Sequence, residues 1–143
     1  MKQPSPLPEL DTCPIRTLMV IDDSSFDQLI CQRIIAKSGL VQELIQYIDP
    51  EKALDHLAGP GNLSPDLILL DINMPRMNGF EFLEAAQRRV DADLCPIMVM
   101  LDTSMDPAGE KRARHFPSVH GFFIKPLSKE KLQGFADFLR GTR

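Results

Sequence analysis

Residues Asp66-Leu67-Ile68-Leu69-Leu70-Asp71-Ile72-Asn73-Met74-Pro75-Arg76-Met77-Asn78-Gly79 decide the fold. Four consecutive aliphatic residues, Leu67 to Leu70, show no polar alternation. That texture fits a strand buried on both faces, the kind found in parallel sheets covered by helices on each side. The run stops at a carboxylate, Asp71. Gly79 then opens a segment with Phe80, Leu83 and Ala86 on one helical face.

Working outward, the same unit recurs. Thr17 to Ile21 ends at Asp22, Pro96 to Leu101 ends at Asp102 and Thr103, and Gly121 to Ile124 ends at Lys125. Gln42 to Ile48 is a weaker, more polar run and reads as an edge strand. The segments between read as helices. Phe26, Leu29, Ile30, Ile34 and Ile35 form a stripe of period 3.6 that Gly39 closes. Asp49-Pro50 and Asp106-Pro107 each set a capping residue before a proline at the first helical position. Lys129 to Arg140 carries Leu132, Phe135, Ala136 and Leu139 on one face.

Five strand–helix units in series predict an α/β chain, a doubly wound parallel sheet with helices on both faces. The flavodoxin-like (βα)5 arrangement, strand order 2-1-3-4-5, fits this pattern without being its only solution. Residues 1–16, with Pro4, Pro6, Pro8 and Pro14 among polar residues, read as a flexible N-terminal tail. Residues 17–143 read as a single domain.

Composition narrows the function. Sixteen Lys+Arg against twenty Asp+Glu leave a net charge of −4. No basic stripe marks a nucleic-acid partner. No apolar run approaches the roughly 20 residues of a membrane span. Cys13, Cys31 and Cys95 are odd in number and lack metal-site spacing, which points to reduced thiols in a cytoplasmic protein.

The polar residues closing the strands carry the chemistry. In an open parallel sheet the carboxyl ends share one edge, and ligands bind there at the switch point between strands 1 and 3. Asp22, Asp23 and Asp71 are therefore expected to converge. Taken singly, each is a cap or turn residue. Taken together, three carboxylates need compensation to stay ionised, and Mg2+ with its preference for carboxylate oxygens supplies it. Lys125 adds a positive charge from strand 5. Such a site suits a phosphoryl group transferred in line to Asp71 as an acyl phosphate.

The segment Asp71 to Gly79 resembles the Asp-x-x-Met-Pro-x-Met-x-Gly segment of bacterial response-regulator receiver domains. Asp22-Asp23 and Lys125-Pro126 match as well, so the resemblance covers about residues 17–140. It implies that Asp71 is the phosphoacceptor and that Asp22 and Asp23 form the Mg2+-binding pair, with Asp23 the direct ligand. It also implies that the main-chain carbonyl of Asn73 completes the metal site, that Lys125 contacts the phosphoryl group, and that Phe122 is the aromatic switch. The bond before Pro126 would be cis. The phosphodonor would be a phosphohistidine on a sensor kinase or histidine phosphotransfer protein.

One position departs from the pattern. Family members usually carry Thr or Ser after strand 4. Counting from the apolar run puts Asp102 there. Counting back from Lys125 puts Thr103 there if the following loop is not extended. Residues 115–120 read as an extended loop, which favours Asp102.

With three residues after Arg140, the chain reads as a stand-alone regulator, a monomer or weak dimer. It would signal through a surface of helix 4, strand 5 and helix 5 containing Phe122. Two rivals remain. An Asp-nucleophile phosphatase would need a second Asp where Asn73 stands. A non-phosphorylated pseudo-receiver would act purely as an interaction module, and Asp102 motivates that alternative.

Overall fold

The computed structural model describes residues 13–62, 64–90, 96–104 and 106–142. Residues 1–12 of the expected tail, and Cys95, lie outside the described residues. The elements are β1 (Ile15–Ile21), α1 (Ser25–Ser38), β2 (Val41–Tyr47), α2 (Pro50–Ala58), β3 (Leu67–Asp71), α3 (Gly79–Arg89), β4 (Ile97–Asp102), α4 (Pro107–Ala113), β5 (Val119–Ile124) and α5 (Lys129–Thr142). The five strands pair in parallel in the order β2-β1-β3-β4-β5. The flavodoxin-like arrangement is therefore the observed one.

Side chains alternate along each central strand and build two cores. Met19, Ile21, Ile68, Leu70, Met98 and Met100 pack with α2, α3 and α4. Leu18, Val20, Leu67, Leu69, Val99 and Leu101 pack with α1 and α5. All five residues of β3 are buried, which is why its sequence is continuous and not alternating.

The structure differs from the sequence reading at three places. β1 begins at Ile15, not Thr17. Ile15 is fully buried and its N–H donates to Leu40 O at 3.1 Å. The charge on Arg16 hid this start, but the N–H groups of Arg16 and Thr17 both donate to Asp66 Oδ2. β5 is an edge strand, so Phe122 and Phe123 are half-buried and not covered on both faces.

The third difference lies in α1. The apolar stripe faces the core only at its C-terminal end: Ile35 is buried and Ile34 packs against the core, but Phe26 is 70% and Leu29 43% exposed. In the first half of the helix Gln28 and Cys31 are buried instead. Polar anchoring sets this rotation. Ser24 caps the helix by accepting from Asp27 N. The Gln28 amide donates to Val20 O, Asp22 O and Tyr47 O at 3.1, 3.1 and 2.9 Å. A buried amide must keep such partners, so the helix turns to satisfy it and leaves Phe26 outside.

Candidate phosphoacceptor and metal site

Strand register brings the predicted residues to one edge. Ile21 pairs with Leu70, Asp71 with Leu101, and Asp102 with Ile124. Asp22 therefore lies just past the end of β1, beside β3, and Lys125 just past the end of β5, on the far side of β4. Ligand oxygens of Asp22, Asp23 and Asp71 all lie within 4.8 Å of one another. Asp22 and Asp71 are buried, and Asp23 is half-buried.

Lys125 reaches into this group. Its Nζ lies 2.8 Å from Asp22 Oδ2, 2.9 Å from Asp27 Oδ2 and 3.2 Å from Asp71 Oδ1. The Lys125–Pro126 bond is cis. The Lys125 N–H donates to Asp102 O at 2.6 Å, which fixes the residue to the end of β4. Asp22 Oδ1 accepts from Ser24 N at 2.9 Å, so one of its oxygens serves the helix cap and the other the lysine.

Electrostatics follow from this crowding. Burial, and then the charge of Asp22, push the Asp71 carboxyl up to about 6, although Lys125 pulls the other way. Burial opposes the charge on Lys125, but hydrogen bonds to Asp22 and Asp27 outweigh it and hold the ammonium above the usual lysine range. Burial pushes the Cys31 thiol up to about 11, with Asp22 adding to the shift, so it is a packing residue and not a nucleophile.

The donor set suits a hard divalent cation. It offers clustered carboxylate oxygens, with no sulfur or imidazole, at a half-open rim. Among the described residues this is the sole group of three or more His, Cys, Asp or Glu side chains placed to share a metal ion.

A profile of the response regulator receiver domain matches residues 18–136. The chain belongs to this family. Response regulator MprA of Mycobacterium sp. strain KMS is 34% identical over 119 residues, covering 83% of this chain and 47% of that one. The chain thus spans about half the length of this relative. A two-component response regulator from Cytophaga hutchinsonii superposes with a TM-score of 0.80 at 25% identity, covering 89% of this chain and 98% of that one. Response regulator Rcp1, solved in its Mn2+-bound form, superposes with a TM-score of 0.67 at 25% identity, covering 88% and 90%.

The end of β4 carries the departure expected from the sequence. Asp102 is buried and Thr103 exposed. Asp102 Oδ1 accepts from Asn73 Nδ2 at 2.8 Å and from Thr103 N at 2.7 Å. Phe122 pairs with Met100 and faces α4 across a cavity of about 250 Å³ lined partly by Glu110, Ala113 and Arg114.

Two participants were not anticipated. Asp27 holds Lys125, and its signal was its position four residues after Asp23, one helical turn into α1. Gln28 fixes the carbonyl of Asp22. It left no signal, because a glutamine beside an apolar stripe reads as surface.

Proposed function

We propose that this receiver domain takes a phosphoryl group from a histidine kinase or histidine phosphotransfer protein onto Asp71. The observation that carries this reading is the meeting of Asp22, Asp23 and Asp71 within 4.8 Å, with Lys125 Nζ 3.2 Å from Asp71.

An Asp71 oxygen attacks phosphorus, the phosphorus–nitrogen bond of the donor phosphohistidine breaks, and an acyl phosphate forms. The Lys125 ammonium pairs with a phosphoryl oxygen as the transfer proceeds. Asp22, Asp23 and Asp71, with the carbonyl of Asn73, would hold Mg2+. When bound, the ion supplies charge neutralisation at the phosphoryl oxygens. The carboxylate-only cluster supports this, and a similar protein, Rcp1, has been solved with Mn2+.

The output is a phosphorylation-dependent protein-binding surface around Phe122, α4, β5 and α5. The cavity beside Phe122 gives its ring room to change rotamer. Asp102 occupies the hydroxyl position and weakens the coupling, because a carboxylate cannot donate to a phosphoryl oxygen. Thr103 is the alternative donor. No helix among the described residues is long and apolar enough to cross a membrane. We read the protein as cytoplasmic and a monomer or weak dimer.

Incubation with acetyl phosphate and Mg2+ tests the reading. A mass gain of one phosphoryl group, lost in Asp71→Asn, is expected. A chain that stays unmodified and binds no Mg2+ would instead be an interaction module, the reading that the buried carboxylate of Asp102 favours.

A further inference from the structure

An ammonium has three N–H donors. In Lys125 two are engaged in hydrogen bonds, to Asp22 Oδ2 and Asp27 Oδ2, and Asp71 Oδ1 is the most distant ion-pair partner at 3.2 Å. These two bonds hold Nζ against Asp22 and Asp27, so a move toward a phosphoryl oxygen on Asp71 works against them. Asp71 carries that phosphoryl group, and Asp22 belongs to the metal cluster. Asp27 stands outside the cluster. Its carboxylate Oδ2 accepts from Lys125 Nζ at 2.9 Å.

Helix α1 holds Asp27 in that position. Its N–H donates to the Ser24 cap at 3.2 Å. The neighbouring Gln28 amide locks the rotation of the helix through three carbonyls. The Asp27 carboxylate is one-third exposed, so water solvates it whether or not Lys125 stays.

We propose that Asp27 is a positioning residue that competes with the incoming phosphoryl group for the Lys125 ammonium. It parks the lysine when Asp71 is unmodified and lowers the affinity of the site for a tetrahedral phosphoryl-like anion. This rests on Asp71 being the phosphoacceptor. The effect is that of losing one half-buried ion pair, with a size set by the strength of that contact.

The test is calorimetric titration of the Mg2+-loaded chain with beryllofluoride, which stands in for the phosphoryl group on the acceptor carboxylate. Asp27→Asn is expected to bind it roughly threefold more tightly or better. Asp27→Glu, which keeps the charge on the same turn, is expected to return close to wild-type affinity. The gain in Asp27→Asn should persist at about 0.5 M salt, where the Debye length is roughly 4 Å. Equal or weaker binding by Asp27→Asn overturns the proposal. So does a gain that vanishes at high salt, which would mark general charge repulsion instead of a contact. A wild-type chain that takes up no beryllofluoride overturns the phosphoacceptor reading itself, and this inference with it.

Discussion

The side-chain amide of Asn73 donates to Oδ1 of Asp102 across 2.8 Å, tying the loop after β3 to the end of β4. The same oxygen accepts from Thr103 N. Asp102 is thus a buried acceptor at the end of β4, where the proposed switch would need a donor. Asp102→Thr is expected to strengthen the link between the acceptor and the β5 face. Amide and Phe122 ring NMR shifts on adding beryllofluoride should be larger in the variant than in wild type. Identical shifts in the two proteins would remove Asp102 from the switching account.

Metal binding should register as stability. A ligand that binds only the folded chain raises its stability by about 2.7 kcal/mol at a hundredfold excess over Kd. Wild type should melt several degrees higher with saturating Mg2+, and chelation should reverse the shift. Asp23→Asn should lose most of it. An undiminished shift in that variant would place the ion elsewhere.

Asp71 ties stability to pH in the metal-free chain. Its folded pKa of about 6 stands above the unfolded value of roughly 3.9. Between these values the native state keeps a proton that the unfolded chain has released. Stability contributed by neutral Asp71 is therefore fully present below about pH 4 and lost as pH rises through 6. Asp71→Asn, which is neutral throughout, should be more stable than wild type near neutral pH, by an amount of order 2 kcal/mol. Denaturant midpoints in chelator should converge as pH falls toward about 4. A gap independent of pH contradicts the shift.

Gly79 is a packing requirement of the loop after β3. A Cβ there would sit 2.9 Å from Asp71 O, 2.9 Å from Met100 Cε and 3.0 Å from Ile72 Cα. Met100 can flex, but the backbone of Asp71 and Ile72 must move. Gly79→Ala should cost about 1–3 kcal/mol by urea denaturation and slow acetyl phosphate labelling. Labelling at the wild-type rate would show that the acceptor tolerates the shift.

The rotation of α1 predicts a contrast. Phe26→Ser should change stability by less than about 0.5 kcal/mol, because Phe26 is largely in solvent. Ile35→Ala, on the buried side of the same helix, should cost about 2–5 kcal/mol. Comparable losses at both sites would refute the observed orientation.

The alternation of strands and helices, and the residue closing each strand, were legible because they are local. A run such as Leu67 to Leu70 has the same partners in any parallel sheet, so its texture names its place. The convergence of Asp22, Asp71 and Lys125 followed from topology, since parallel strands end on one edge. What the chain alone did not disclose depended on non-local polar partners. The facing of α1 was set by carbonyls of Val20, Asp22 and Tyr47 that only the folded sheet presents to Gln28. The start of β1 was set by Leu40 and Asp66, distant in sequence. The engagement of Lys125 by Asp27 spans 98 residues. Hydrophobic periodicity records how much surface an element buries. Which way the element turns, and which charge an ammonium selects, are decided by hydrogen-bond directions that exist only once the tertiary structure has formed.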